Sequence, residues 1–127
     1  MREGFVVLGL DIDSTVVTHD YPLMGEDLGA IPWLKEALTR WSRLRVMLCT
    51  MRDGEDLELA KQWLEERGVP VWAMNRNPTQ DWTASPKPHA HYYIDDRAVG
   101  VPLRKDRCID WDLFGPILIA QLERDLS

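Results

Sequence analysis

The sequence predicts an α/β fold, an open parallel sheet of about five strands in three layers with helices on both faces of the sheet. Short apolar segments alternate with longer segments of helical periodicity, and this alternation favours parallel strand–helix–strand units. The apolar segments are continuous rather than alternating, which is typical of strands buried on both faces. The chain has 127 residues, so we predict a single domain over residues 1–127.

Five short segments are predicted to form the strands. The first is apolar up to the acidic residue that follows it, which indicates a buried strand that ends at a polar edge. The others repeat this pattern of a few apolar residues between polar ones. The segments are 4–10 (GFVVLGL), 45–50 (RVMLCT), 69–74 (VPVWAM), 91–94 (HYYI) and 107–111 (RCIDW).

Three longer segments have the periodicity of amphipathic helices. In the first, apolar side chains recur at helical spacing, and a proline occupies the first turn, where its missing N–H is tolerated. In the second, Asp53 is the predicted N-cap and Gly68 the predicted C-cap. Pro116 is expected near the start of the third. The segments are 30–42, 53–68 and 112–126.

Composition and charge limit the partners and the compartment. The net charge is −6, which disfavours nucleic acid and anionic membranes because both need a basic surface. Cys49 and Cys108 lie in apolar runs and are predicted to be free thiols in a reducing compartment. The apolar run near the N-terminus is too short for a signal peptide, and no run approaches membrane-spanning length. We expect a soluble cytoplasmic protein and leave open whether it forms a homo-oligomer.

Polar side chains follow four of the predicted strands at the point where each strand ends. Because ligands of open parallel sheets bind at the carboxyl ends of the strands, we expect these side chains to converge at one edge. The irregular segment 75–90 is of a length that is usually functional or mobile, and Trp82 within it is a candidate for stacking on a substrate. The converging residues are Asp11, Asp13, Thr15, Thr50, Arg52, Asn75, Asn77, Asp95 and Asp96.

The clustered acids predict a cation. Asp11 and Asp13 follow a buried strand, and Asp95 and Asp96 form a second acidic pair. Carboxylates this close repel each other and lose solvation near a core, whereas a hard cation, Mg²⁺ by default, takes oxygen ligands. One Asp can then act as a nucleophile and another as a general acid and base. Thr50 and a neighbouring cation would hold the phosphoryl oxygens.

The order of these motifs resembles the haloacid dehalogenase (HAD) superfamily of phosphohydrolases over nearly the whole chain. Its first motif, D-x-D-x-T, matches DIDST at 11–15, although Ser14 stands where the family usually has glycine, a change between small residues that we expect to matter little. Its second motif, a Thr or Ser that ends the second strand, matches Thr50, and its acidic fourth motif matches IDD at 94–96. Lys87 is the candidate in place for the third-motif lysine.

The resemblance implies roles for these residues. Asp11 would be the nucleophile with one oxygen on Mg²⁺, and Asp13 would be the general acid and base and would give the metal its backbone carbonyl. Asp95 would bind the metal directly, with Asp96 close behind. An acid at position 13 points to phosphatase rather than dehalogenase chemistry. The implied activity is Mg²⁺-dependent hydrolysis of phosphomonoesters through an aspartyl-phosphate, with phosphorylated small molecules as the expected substrates.

The sequence does not decide which residue is the phosphate-binding cation or what excludes water from the site. The cation is either Lys87, on the resemblance, or Arg52, which lies two residues after Thr50 in the loop that follows the second strand. Neither 16–29 nor 75–90 has room for an inserted cap domain, so the resemblance is to a capless HAD-type, Rossmann-like member. Loops, a subunit partner or the substrate itself would then exclude water.

Two other classes of function remain. A catalytically inert phosphate- or partner-binding module on the same fold would share the motifs, but here all the acids are present. A phosphoacceptor receiver domain also combines paired Asp with Thr and Lys. Its acceptor Asp ends the third strand, however, where this chain reads VWAMN at 71–75.

Overall fold

A computed structural model describes residues 4–127 as a parallel sheet of four strands with three helices. The strand order in space is β3-β2-β1-β4, and all three pairings are parallel. The prediction about a signal peptide rests partly on residues 1–3, which lie outside the described residues. In chain order the elements are β1 (Val6–Leu10), α1 (Ile31–Arg40), β2 (Leu44–Leu48), α2 (Gly54–Glu66), β3 (Ala73–Met74), β4 (Tyr92–Ile94) and α3 (Trp111–Leu126).

Residues 107–111 do not form the fifth strand that the sequence predicts. Ile109 pairs only in an isolated antiparallel bridge with Leu103. The Asp110 carboxylate accepts hydrogen bonds from the backbone N–H groups of residues 112 and 113, and α3 begins at Trp111. The segment therefore carries a helix N-cap, which competes with the strand signal of its apolar residues.

The third strand, β3, is shorter than the predicted segment 69–74. Arg67 is the C-cap of α2, and Gly68, the predicted C-cap, lies one residue later with a φ of 86°. The backbone N–H of the next residue, Val69, donates to the Leu64 carbonyl at 3.0 Å. This hydrogen bond closes the end of α2, so the N–H is not available to the sheet. Pro70 then has no N–H to give to a sheet. Pairing with β2 can begin only after these residues.

The buried side chains form two clusters, one on each face of the sheet. The larger includes Val6 and Leu8 of β1 together with buried residues from all three helices. The smaller includes Val7 and Met47 with Ala90, which lies in irregular chain before β4. Within residues 4–127 the buried helix residues thus lie on one face of the sheet, and the helical layer predicted for the other face is not seen there.

The third helix packs closely against α1. A Cβ on Gly115 would lie 2.2 Å from Cε2 of Trp33, so this approach requires glycine. Pro116 lies in the second turn of α3, just beyond the first four residues, whose N–H groups have no partner within the helix. None of the helices in the described part of the chain is long and apolar enough to cross a membrane.

The strand order fixes where a site is to be expected. The chain passes from β1 to β2 and β3 on one side, and then returns to place β4 on the other side of β1. In open α/β sheets, ligands bind outside the carboxyl ends of the strands at such a switch point. The order also differs from the 2-1-3-4-5 order of receiver domains, which argues against that alternative.

Candidate metal and phosphate site

The loops after β1 and β4 bring three carboxylates together at the switch point. Asp11 follows β1 directly, and Asp95 and Asp96 follow β4. One oxygen from each can be chosen so that the three atoms lie within 4.8 Å of one another, and all three residues are partly buried. We call these three residues the acidic triad. Asp13, which the sequence also predicts at the metal, does not contribute its carboxylate to it.

Thr15 supports two members of the triad with a single hydroxyl. The residue is fully buried, and its Oγ1 lies 3.2 Å from Oδ2 of Asp11 and 3.2 Å from Oδ1 of Asp96. The same oxygen accepts the N–H of Asp96 at 3.0 Å. A hydroxyl has one proton and can donate to one carboxylate at a time. Within residues 4–127 no Lys, Arg or His forms an ion pair with the triad.

The electrostatics of Asp11 reflect its burial and the neighbouring carboxylates. Burial raises the pKa of Asp11 to about 8; the backbone N–H of Ile12 opposes this rise, and the charges of Asp95 and Asp96 add to it. A hard divalent cation would replace the proton that Asp11 otherwise retains at neutral pH, because Mg²⁺ is bound through carboxylate oxygens and keeps several waters. The all-oxygen donor set and its excess negative charge fit such a cation.

Asp13 pairs with Arg52. The guanidinium donates from Nε to Oδ2 of Asp13 and from Nη2 to Oδ1, both at 2.8 Å, which is a bidentate pair. Arg52 is only 1% exposed. The arginine thus fixes the orientation of the residue that the resemblance assigns to acid and base chemistry.

The remaining donors of Arg52 are also occupied. Nη1 donates to the backbone carbonyls of Pro22 and Asp56 at 3.0 and 3.2 Å, and Nη2 donates to that of Leu23 at 2.9 Å. With the two bonds to Asp13, all five N–H groups of the guanidinium have acceptors. No N–H is left for a phosphoryl oxygen, so Arg52 binds the loop after β1 and Asp13 rather than providing the free cation considered above.

The acids line a cleft with two lobes, of about 400 and 430 Å³. We call both together the Asp11 cleft. One lobe is also bounded by Asp13 and Arg52, and the other by Cys49 and Asp95. The residues that line both lobes are Asp11, Thr50, Met51 and Arg97.

Thr50 is held in the cleft by its neighbours. Its N–H donates to Oδ1 of Asn75 at 2.9 Å, and its Oγ1 accepts the N–H of Arg52 at 3.1 Å, so the hydroxyl proton stays available to a ligand. Asn75 also donates from Nδ2 to the Arg52 carbonyl at 3.2 Å. Both ends of the Asn75 amide are therefore engaged, and this predicted substrate residue braces the turn that carries Thr50.

Three other predicted residues lie away from the Asp11 cleft. Lys87 is exposed, and its Nζ lies 5.4 Å from the centroid of the Tyr93 ring. Asn77 is buried and donates from Nδ2 to the His89 carbonyl at 2.9 Å, a structural bond within its loop. Trp82 packs its ring edge-to-face with His89, with centroids 5.3 Å apart. Lys87, Asn77 and Trp82 are not among the described residues that line the Asp11 cleft.

Arg97 is a site residue that the sequence analysis missed. It lines both lobes of the Asp11 cleft, and its backbone N–H donates to Oδ1 of Asp95 at 2.9 Å. Among residues 4–127 its guanidinium has no hydrogen-bond or ion-pair partner. Its position directly after the acidic pair was the available signal, since residues after β4 must lie at this edge of the sheet.

Ser14 adopts a backbone conformation that favours glycine. Its φ is 66°, in the left-handed region, which costs a residue with a Cβ about 1–2 kcal/mol. The expectation that serine matters little at this position overlooked this conformation. The loop needs it, because the Ser14 N–H donates to the Val17 carbonyl and its carbonyl accepts from the Ile109 N–H.

We expect Ser14→Gly to stabilise the protein by about 0.5–1 kcal/mol, since relief of the strained φ exceeds the added chain entropy of glycine. Urea unfolding measures this difference. Ser14→Ala is the control, because it removes the hydroxyl and keeps the strain. A glycine variant no more stable than the alanine variant would contradict the prediction.

The raised pKa of Asp11 predicts a pH-dependent stability in metal-free protein. The pKa rises from 3.8 to about 8 on folding, so between these values the folded state holds the proton more tightly, and unfolding free energy falls as pH rises. Asp11→Asn does not titrate. In EDTA we expect its melting temperature to match wild type near pH 4 and to exceed it by several degrees at pH 8. The exposed-acid control Asp81→Asn should show no such growing difference. A melting temperature of Asp11→Asn that follows wild type at every pH would refute the raised pKa of Asp11.

Comparisons with known proteins give one informative likeness. No family model and no curated protein matches the sequence. The solved structure of a conserved protein coded by a locus of Bacteroides thetaiotaomicron is similar to this chain, with 30% identity and a TM-score of 0.73. The alignment covers 93% of each chain, so the likeness extends over nearly the whole of both.

Proposed function

For this chain, which belongs to the same family as the conserved Bacteroides thetaiotaomicron protein, we propose the function of a Mg²⁺-dependent phosphomonoester hydrolase that works through an aspartyl-phosphate. The observation that carries the proposal is the acidic triad at the switch point of the sheet, in one cleft with Asp13 and Thr50. These are the strand-end positions at which the chain resembles the HAD superfamily. Phosphorylated small molecules are the proposed substrates.

The acidic triad would hold the metal. Asp11, Asp95 and Asp96 each supply a carboxylate oxygen, and the Asp13 backbone carbonyl is a further candidate. When bound, Mg²⁺ would neutralise these carboxylates and offset the charge of the phosphoryl oxygens. Asp11 is then ionised and can approach the phosphorus of the ester.

Asp11 and Asp13 would divide the chemistry between them. A carboxylate oxygen of Asp11 attacks phosphorus, the ester P–O bond breaks, and the leaving oxygen takes a proton from Asp13. Asp13 then removes a proton from water, whose oxygen attacks the phosphorus of the aspartyl-phosphate. Inorganic phosphate leaves and Asp11 is regenerated. The first step requires a proton on Asp13, and the carboxyl oxygen that carries this proton would give up its hydrogen bond from Arg52.

Thr50 and Arg97 would stabilise the transferred phosphoryl group. The Thr50 hydroxyl has a free proton within the Asp11 cleft, and the Arg97 guanidinium is the unpaired cation among the described residues that line both lobes. Such donors act where negative charge shifts during transfer. We propose Arg97 for the cationic role that the sequence analysis divided between Lys87 and Arg52.

The proposal includes a site without a cap domain. In the described residues, the loop after β1 reaches the cleft through Tyr21 and the segment before β4 reaches it through Pro86 and Pro88. These loops, with the substrate, would limit access of water to the aspartyl-phosphate.

Phosphate release across a panel of phosphorylated metabolites tests the proposal. Activity is expected with Mg²⁺ and is expected to vanish in EDTA, while Ca²⁺ should inhibit because its larger, looser coordination would misalign Asp11. Full activity in metal-free protein would contradict the metal's role. Mg²⁺-dependent phosphate binding without release from any ester would favour the inert binding module instead.

A further inference from the structure

A second cavity lies beside the Asp11 cleft. It has a volume of about 420 Å³ and is formed by the irregular segment between β3 and β4, within the usual range for small-ligand pockets. Asn75, Pro86 and Pro88 line both this cavity and the Asp11 cleft. The two spaces therefore adjoin at these residues.

The walls of this cavity are cross-linked by side chains. Gln80 donates from Nε2 to the Lys87 carbonyl at 3.0 Å and accepts the N–H of His89 at 2.7 Å. Asn77, which is only 4% exposed, donates to the His89 carbonyl at 2.9 Å. These bonds join the first part of the segment to its last part. The cavity is thus built by specific side-chain contacts and is not a gap in an unsupported loop.

The cavity is positively charged, in contrast to the cleft beside it. Arg76 and Lys87 line it, and no Asp or Glu does among the described residues, although the chain as a whole has a net charge of −6. Thr83 and Ser85 add hydroxyl groups. Each hydroxyl oxygen accepts a backbone N–H, at 3.2 and 3.3 Å, and keeps its own proton to donate.

We propose that this cavity binds a second anionic group, a phosphate or a carboxylate, of the phosphate ester whose reacting phosphoryl group lies in the Asp11 cleft. The inference rests on the proposed function and narrows its substrate class to small esters with two anionic ends. Cationic side chains and hydroxyl donors suit such a group. The acidic cleft repels an anion that the metal does not bind, so the second group gains by lying in the cationic cavity.

Matched substrates test the proposal. The ratio of kcat/KM for alkane-diyl bisphosphates, in a series of two to eight carbons, to kcat/KM for the corresponding alkyl monophosphates measures the value of the second phosphate. In wild type we expect a ratio of about 10 or more at one chain length, an effect of about 1.4 kcal/mol. The double variant Arg76→Ala/Lys87→Ala should lower the ratio about tenfold, and the exposed control Lys105→Ala should not. A ratio that is equal in wild type and double variant would overturn the subsite.

A binding measurement separates this proposal from the proposed function. Inorganic phosphate is titrated in EDTA while the amide NMR signals of Arg76, Thr83 and Lys87 are followed. We expect saturable shifts in wild type that are lost in the double variant. Absent shifts would overturn the subsite even if esters are hydrolysed. If no ester is hydrolysed but these signals still shift, the cavity binds anions as proposed, while the phosphatase proposal fails and with it the assignment of the cavity to a substrate of that reaction.

Discussion

Asp11→Asn is expected to reduce phosphate release from every ester that the wild-type protein hydrolyses to the rate of the buffer, a loss of at least about 10⁴-fold. The amide nitrogen and oxygen of asparagine do not form the acyl-phosphate, and the change also removes one charge from the acidic triad. Released phosphate at saturating Mg²⁺ is the measurement. The melting temperature of the variant in EDTA, which we expect to be at least that of wild type, shows whether a loss of activity has another cause than unfolding.

Asp13→Asn and a surface control complete this comparison. Loss of a general acid and base is expected to slow turnover by about 10²–10⁴-fold, and less with p-nitrophenyl phosphate, whose leaving group needs little protonation. Asp112→Asn changes an exposed acid in the first turn of α3 and should retain the wild-type rate. Comparable activity of Asp11→Asn and wild type on any phosphate ester would disprove the mechanism.

Arg52→Ala is expected to cost about 3–5 kcal/mol of stability, because it leaves Asp13 without its partner and three backbone carbonyls without their donors. For a chain of this size the melting temperature should fall by about 10–20 °C. Where the variant remains folded, kcat should fall more than KM rises, since Arg52 orients Asp13 and does not contact the phosphate.

The variant Arg52→Lys is the matched control. Lysine keeps the charge but has three donors and no planar fork, so it should recover only part of the lost stability. A loss below about 1 kcal/mol for Arg52→Ala, the range of an exposed ion pair, would contradict this role.

The positions of the triad could be predicted from the sequence because they follow from topology. Continuous apolar runs identify buried parallel strands, and the carboxyl ends of such strands must meet at one edge. Asp11 and Asp95 end two such runs, so their meeting needs no knowledge of side-chain direction. The same reasoning placed Thr50 at the end of β2.

The roles of the cations could not be predicted in this way. Whether Arg52 reaches a ligand or Asp13 depends on the backbone carbonyls of the loop after β1, which no periodicity describes. Lys87 lies between two prolines that line the Asp11 cleft, yet its side chain extends over the Tyr93 ring instead. Side-chain direction in irregular chain is set by such distant contacts. Arg97 differs from these two residues, because its position directly after the acidic pair was sufficient to place it at this edge of the sheet.

The predicted fifth strand shows a limit of local pattern. The apolar residues of 107–111 favour a strand, but Asp110 favours a helix N-cap, and the sequence alone does not decide between these local signals. Tertiary contacts do: the Ile109 N–H bonds to the Ser14 carbonyl, and the Trp111 Nε1 donates to the Thr15 carbonyl at 2.6 Å. The segment therefore supports the loop that carries Asp11 instead of extending the sheet.

The most direct test of the central claim is the mass of the protein after acid quench during turnover of a phosphate ester with Mg²⁺. We expect a fraction of the molecules to be heavier by one phosphoryl group, with the added mass on the peptide that contains Asp11 and absent from Asp11→Asn. Turnover of the same ester with no phosphorylated protein in wild type at any quench time, or with the phosphoryl group on another residue, would contradict it.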